Sequence, residues 1–490
     1  MNVWLERYSK WILIVALLTG AGLRWFRIGA HGFWYDEAVS GLIARLSATQ
    51  ILTNAAADDH PFGYYLFLHF WLLLGQSEAV IRSLSALFSL GGIPLVYGLG
   101  RWLFDRPTAI LAALGMTLFP FQNYYAQEAR TYGIVIFLAI ALIWTFLYAV
   151  ASENAWGRWL GYACIAAIGL HFHYFVAFLL IGLHLWLALD LRRHRTVVWR
   201  LLLADGLIVL MFLPQLGQAL SRTRIYLTVA SWQPTPTILS PLTAIYYLVF
   251  GHRTPIWLFP FALFLVLAAL VLTLWEGCRR PKPEQRSELA LWFSLLIPIL
   301  IVMTISWLIR SIYLERSFAV GSPALALLLA RGATAAPRRS PTPYLVALLA
   351  IPVVITLTVN VITPDPAKAP VREAARRVAA GFVPGDVSLH LQDSSYMPAV
   401  WYTPEISHLL ADVPGALLTT LQTHRIFGGD VVDWQAALVG ADRLWLMVMP
   451  GYNGPEQEVV HRTIDATYPR LAMEDWGAVQ LYLYDLQSTE

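Results

Sequence analysis

Apolar runs of about 20 residues recur along most of this 490-residue chain, the length an α-helix needs to cross a hydrocarbon core. In lipid every backbone N–H and C=O must find its partner inside the protein, which confines such runs to a helical bundle. Eleven spans are predicted, at roughly 11–29, 79–100, 108–122, 132–151, 157–171, 174–190, 199–217, 255–277, 288–309, 316–333 and 343–362. The run Pro61–Leu74 is too short to span, as is 240–250, and both are expected in the interface. Composition agrees: hydrophobic residues make up 58% and charged residues 13%, about half the soluble share.

The first apolar stretch follows Arg7 and Lys10, as in a signal peptide. It lacks a small-residue cleavage site and holds Arg24 and Arg27, so an uncleaved helix is expected. With the N-terminus inside, sixteen arginines and lysines fall on inner loops and ten at outer ends, which favours a cytoplasmic N-terminus. An odd number of spans then puts the 30–78 loop and the C-terminal segment outside. Cys164 and Cys278 lie in or beside apolar runs and define no disulfide framework.

Composition shifts after about residue 365. Residues 366–490 carry 8 Lys and Arg against 15 Asp and Glu, a net of −7 that leaves about +10 for the rest of a chain totalling +3. Val371–Ala380 and 456–467 read as helices, and Val387–Leu391, Leu444–Met449 and Val479–Tyr484 as buried strands. The expectation is a membrane domain over 1–365 and a soluble extracytoplasmic α/β domain over 366–490.

Two stretches of the first hundred residues carry unusual chemistry: Phe33-Trp34-Tyr35-Asp36-Glu37-Ala38 and Asp58-Asp59-His60-Pro61-Phe62-Gly63-Tyr64-Tyr65. Carboxylates at a bilayer are expensive and usually mark a working site. Beside aromatic residues they suit general-base chemistry on a polyol, with Tyr64 and Tyr65 as sugar-stacking candidates. Glu37 either orients Asp36 or a sugar hydroxyl, or caps the helix that follows. Asp58 and Asp59 either bind a sugar or divalent ion, or cap a helix. His60 either donates to a phosphate or sugar hydroxyl, or caps the helix at Pro61. Among the outer arginines, Arg45 and Arg310 read as interfacial snorkelling. Arg130, Arg222, Arg224 and Arg316 sit among aromatic or polar residues near helix ends and suit anion binding, because guanidinium grips phosphate by paired, charge-assisted bonds. A salt bridge from Arg130 to Asp36 and Glu37 would explain that arginine equally well. His171-Phe172-His173-Tyr174 reads as a turn.

The succession Trp34-Tyr35-Asp36-Glu37-Ala38, His60-Pro61 with Tyr64-Tyr65 and His69-Phe70-Trp71, then Gln127-Glu128-Ala129-Arg130-Thr131-Tyr132-Gly133, resembles the polyprenyl-phosphate-sugar-dependent glycosyltransferases of the GT-C fold. It is most similar to the glycosyltransferase family 39 branch of protein O-mannosyltransferases and lipid A aminoarabinose transferases. Tyr313–Gly332, with Arg316 and Pro323, resembles the same family near its lipid-phosphate site. The resemblance implies a conserved seven-helix module and Asp36 at the position of the catalytic base. It implies inverting transfer of a monosaccharide from a polyprenyl-phosphate donor to an acceptor hydroxyl or amine. Gln127 and Glu128 would border that site, Arg130 would stand near the donor phosphate, and His60 stands where some relatives have lysine. No cofactor is expected, and a divalent cation is disfavoured because a monophosphate leaving group carries less charge than a nucleotide diphosphate.

No Walker loop, dinucleotide fingerprint, zinc motif or nucleic-acid-binding tract occurs. The resemblance implies as partners the donor lipid, the bilayer and an acceptor that the sequence does not identify. Two other readings share the spans and the outer arginines: a flippase or transporter of lipid-linked sugars, and an O-antigen ligase or polymerase. Transporters place ionisable groups near the midplane on broken, repeated helices, and ligases concentrate function in a late outer loop.

Overall fold

The computed structural model describes residues 2–54, 60–151, 155–189, 195–228, 233–363, 365, 367–413, 431–452 and 454–487. Asp58 and Asp59 lie outside them. The chain divides into two compact units. One comprises Met1–Phe26, His60–Tyr64 and Arg82–Thr363; the other comprises Arg27–Asp59, Tyr65–Ile81 and Pro364–Glu490. The 30–78 segment is thus shared between the units and does not belong wholly to the first.

Among the described residues seven helices are long and apolar enough to cross a bilayer: Glu78–Leu103, Tyr132–Val150, Val197–Arg224, Phe259–Gly277, Lys282–Leu308, Glu315–Thr334 and Thr342–Ile362. Each matches a predicted span. The other four predicted spans are helical but weaker. The 108–122 run breaks at Phe119–Pro120 into Arg106–Leu118 and Pro120–Ala126, because proline removes a donor and clashes with the preceding turn. The 157–171 and 174–190 runs become Trp156–Phe172 and Val176–Ala188, of 17 and 13 residues. The first lies in Asn2–Trp25, a helix whose apolar centre is flanked by Lys10 and Arg24. Pro61–Leu74 and 240–250 also form short apolar helices.

Two buried arginines of the first unit find their partners within it. Arg331, 6% exposed, binds Glu288 through Nε (3.1 Å), Asp105 through Nη1 (3.1 Å) and Glu284 through Nη2. Arg24, wholly buried, donates to Ser89 Oγ (3.0 Å), Asn123 Oδ1 (3.3 Å) and the carbonyls of Met116 (2.9 Å) and Gly20 (3.3 Å). Such partners are required, since a bare charge in hydrocarbon costs several kcal/mol.

The second unit holds a six-stranded sheet of β1 (Asp386–His390), β2 (His408–Asp412), β3 (Val431–Asp433), β4 (Arg443–Val448), β5 (Arg470–Asp475) and β6 (Gln480–Asp485), in the order β3-β2-β1-β4-β6-β5. The first four are parallel, and β6 pairs antiparallel to both β4 and β5. Alternation builds the layers. Trp445, Met447, Leu481 and Leu483 pack with Val371, Ala374, Ala375 and Val378 of one helix. Leu444, Leu446, Val448, Tyr482 and Tyr484 face Val460 and Ile464 of another. The three strands and two helices expected from sequence are present.

Two buried histidines join β1 to β2. His390 Nε2 lies 3.1 Å from His408 Nδ1, with Ser395 Oγ 3.0 Å from His390 Nδ1 and Thr403 Oγ1 2.8 Å from His408 Nε2. Burial lowers both pKa values, His390 well below the usual range and His408 to about 4. The unfolded chain therefore takes up protons near pH 6.5 that the folded chain refuses, so stability is complete above that pH and falls as the pH drops toward 4. For His408 alone the loss is on the order of 3 kcal/mol. Hydrogen exchange on the full-length protein should show β1 and β2 peptides losing protection between pH 6.5 and 4, once intrinsic rates are corrected, and His408→Gln should flatten that slope. Protection independent of pH in the parent would refute the account.

Candidate active site

Within the first unit, three stretches distant in sequence meet around Arg130. Its Nη2 lies 3.2 Å from His60 Nδ1. The His60 ring stands edge-on to His173 at 5.3 Å and to Tyr132 at 6.4 Å, and the Arg316 guanidinium sits 5.9 Å from the Tyr132 ring centroid. His173 lies in the electrostatic field of His60, Arg130 and Arg316. Local backbone contacts hold the group together. Ser85 Oγ donates to the Arg130 carbonyl (2.8 Å), and Thr131 Oγ1 donates to the Phe172 carbonyl (3.1 Å). A Cβ on Gly133 would stand 2.7 Å from the Ser85 carbonyl oxygen, and one on Gly63 2.4 Å from that of His171. Both glycines are thus needed for close backbone approach.

The aromatic wall continues from Tyr132 to Tyr125, whose ring is 5.0 Å away and whose hydroxyl lies 3.0 Å from His252 Nε2. Tyr247 packs against His252 at 4.7 Å. Glu128, 1% exposed, and Glu315 act electrostatically on Tyr125. Two or more cations beside aromatic rings suit a phosphate ester with an apolar tail.

Other predicted residues do different work. Gln127 Nε2 donates to the carbonyls of Leu23 (2.9 Å), Arg24 (3.2 Å) and Phe26 (3.0 Å), closing the end of the first helix. Tyr64 and Tyr65 are each 1% exposed, so neither ring offers an open face for sugar stacking. Arg222 and Arg224 lie on the last turns of Arg195–Thr228; Arg222 keeps Nε and Nη2 buried without a hydrogen-bond partner, and Arg224 is exposed. Among the described residues no group of three or more His, Cys, Asp and Glu could hold a metal ion. His173, His252, Tyr125 and Tyr132 were not expected at the site. Only the two-residue spacing of His171 and His173 at a turn hinted at the first.

In the second unit Asp36 and Glu37 occupy the first turn of the helix Tyr35–Arg45, where carboxylates complement the N-terminal dipole. Glu37 is fully buried and Asp36 half-buried. The helix docks on Asp393–Tyr402 of the α/β fold. A Cβ on Gly41 would meet the Trp401 ring at 2.8 Å, and the Arg45 guanidinium lies 3.4 Å from that ring's centroid, a cation–π contact in place of free snorkelling. A polar clasp fixes the entrance. The Tyr402 hydroxyl accepts from Phe33 N–H (2.7 Å) and donates to Glu78 (2.9 Å), which also receives Arg372 Nη1 (2.9 Å).

Residues 59–217 match the family model described as dolichyl-phosphate-mannose-protein mannosyltransferase. That stretch takes in His60, Tyr64, Tyr65 and Gln127–Arg130 and leaves Asp36, Arg222, Arg224 and Arg316 outside. ArnT from Cupriavidus metallidurans in the apo state is similar in structure, with 13% identity, a TM-score of 0.66 and 98% of each chain covered. The same protein bound to undecaprenyl phosphate gives 14% identity, 0.65 and again 98% of each chain. The oligosaccharyltransferase AglB from Archaeoglobus fulgidus, in complex with an inhibitory peptide and a dolichol-phosphate, gives 11% identity and a TM-score of 0.54 over 98% of this chain and 74% of its own. No curated protein matches by sequence. The chain is a multi-pass membrane protein with the GT-C fold and a small C-terminal sheet region.

Tyr402→Phe removes the hydroxyl that joins Phe33 to Glu78. It is expected to destabilise the segment before Asp36 by roughly 1–3 kcal/mol. Limited proteolysis of the full chain should then cut near residues 27–34 sooner than in the parent, whereas an unchanged cleavage rate would mean the clasp is redundant.

Proposed function

We propose that this protein is an inverting glycosyltransferase that moves a monosaccharide from a polyprenyl-phosphate donor to an acceptor hydroxyl or amine. What carries the reading is the gathering of Arg130, His60, His173 and Arg316 against aromatic rings in a GT-C membrane fold. The similar ArnT structure bound to undecaprenyl phosphate supports the donor class.

In this reading Arg130 and Arg316 bind the phosphate oxygens and stabilise the charge that grows as the anomeric C–O bond breaks. Asp36 accepts the proton of the acceptor group while its oxygen or nitrogen attacks the anomeric carbon from the opposite face. The products are the glycosylated acceptor and the polyprenyl phosphate, with inverted configuration and no covalent sugar–enzyme intermediate. Glu37 orients Asp36 from its buried position on the same helical turn. Asp58 and Asp59 remain candidates for the donor sugar, and Arg222, with its two unpartnered nitrogens, and Arg224 for the lipid phosphate. The lysine and arginine bias supports an N-terminus on the cytoplasmic side of the cell membrane and chemistry on the other side. No metal is assigned to the reaction, so turnover should persist in excess EDTA.

Sugar transfer in detergent, from a panel of polyprenyl-phosphate monosaccharides to membrane extracts, tests the reading. Asp36→Asn keeps the shape and removes the base, and should lower transfer by at least about 100-fold with donor binding intact. Arg130→Ala should instead weaken donor binding. Equal turnover in Asp36→Asn and the parent would take Asp36 out of the mechanism, and donor translocation without transfer would favour a flippase.

A further inference from the structure

The apolar helix Ser240–Phe250 stops at Gly251, whose φ of +68° turns the chain in a way that a side chain would resist. The turn Gly251–Thr254 then reaches two other helices of the first unit. On one side His252 Nε2 lies 3.0 Å from the hydroxyl of Tyr125, on Pro120–Ala126. On the other, Arg253 grips the end of Ala350–Ile362. Its Nη1 donates to the Asn360 carbonyl (3.3 Å), and its Nη2 to the Thr363 carbonyl (2.8 Å) and hydroxyl (2.6 Å). Thr356 Oγ1 adds a bond to Thr254 Oγ1 (3.2 Å). The last carbonyls of a helix have no donor within it, and the negative end of its dipole favours a cation. Arg253 meets both needs.

Tyr125 is 2% exposed, so its hydroxyl has to find a partner inside the protein, and His252 supplies it. His252 itself is exposed, so burial does not hold its ring in place. The grip on the neighbouring residue does, together with packing against Tyr247 at 4.7 Å. From Tyr125 the contacts pass to the Tyr132 ring at 5.0 Å, which borders both the Arg316 guanidinium (5.9 Å) and the His60 ring (6.4 Å). A continuous line of contacts thus runs from the end of Ala350–Ile362 to the cations around Arg130.

We propose that Arg253 is a positioning residue for donor binding: it fixes His252 on Tyr125, and through Tyr125 and Tyr132 it sets where Arg316 and His60 stand for the lipid phosphate. This rests on the reading of that cluster as the phosphate site. Arg253 touches no substrate, and its effect travels through His252.

Binding of undecaprenyl phosphate to the detergent-solubilised full chain, followed by microscale thermophoresis, tests this beside the transfer assay. Arg253→Ala should weaken binding and raise the donor KM roughly tenfold, with kcat within about twofold of the parent. A purely structural role would lower the yield of folded protein without moving the affinity of what folds. Tyr125→Phe keeps the ring and removes the hydroxyl, so it reaches the same contact without disturbing the helix end, and should weaken binding to a similar degree. Because both act through one contact, the double variant should bind about as well as either single one. Effects that multiply to roughly a hundredfold would overturn the proposal, as would parental affinity in Tyr125→Phe or in folded Arg253→Ala. Sugar transfer by the parent with affinity unchanged across the variants overturns this proposal alone. Failure of the parent to bind undecaprenyl phosphate overturns the donor-site reading, and the proposal with it.

Discussion

A buried guanidinium without a carboxylate partner has to be satisfied by neutral acceptors, and among the described residues Arg24 is so placed. Its bonds to Ser89, Asn123 and the Met116 carbonyl tie the first helix to three others. The same helix end is closed by Gln127, three residues before Arg130. The position of the Arg130 loop is therefore set by the need to shelter one buried cation and three carbonyls. Ser85 and Thr131 then fix the loop's own backbone. The cluster of His60, His173 and Arg316 depends on these bonds, because none of its members comes from the same stretch of chain.

The spans that sequence located correctly are those whose apolar length alone suffices, such as Tyr132–Val150 and Thr342–Ile362. The run over 108–122 misled, because hydropathy does not register that Pro120 ends one helix and begins another. β4 and β6 were legible because alternation reveals a two-sided strand. β5 was not, since Arg470–Asp475 is largely exposed and lies at an edge. At the site, arginines near helix ends drew attention to Arg130 and Arg316, which the fold brings beside Tyr132 and His173. His173 beside His60 and His252 beside Tyr125 were invisible, because both come from connections with no motif of their own. The clasp between Glu78 and Tyr402 joins residues 324 positions apart, which no local pattern records.

The α/β fold does more than follow the helices. Its helix Asp393–Tyr402 is tethered near both ends by the histidine pair, through Ser395 and Thr403. Trp401 and Tyr402 on that helix hold Gly41, Arg45 and Phe33. The carboxylates Asp36 and Glu37 thus owe their placement to a fold whose sheet begins more than three hundred residues later. Mutations in its core would reach Asp36 through packing alone, without touching a substrate.

Charge is divided along the same line. Residues 366–490 sum to −7 and the rest of the chain to about +10. Displacing a phosphate from a sugar asks for two unlike environments: cations for the group that leaves, and a carboxylate acceptor for the proton of the group that enters. Placed together without restraint, these charges would neutralise one another in ion pairs. Within the second unit Arg45 is engaged by Gln76 and Trp401, while Arg372 binds Glu78 and Glu373. Arg45 and Arg372 of the second unit are thus committed to structural partners.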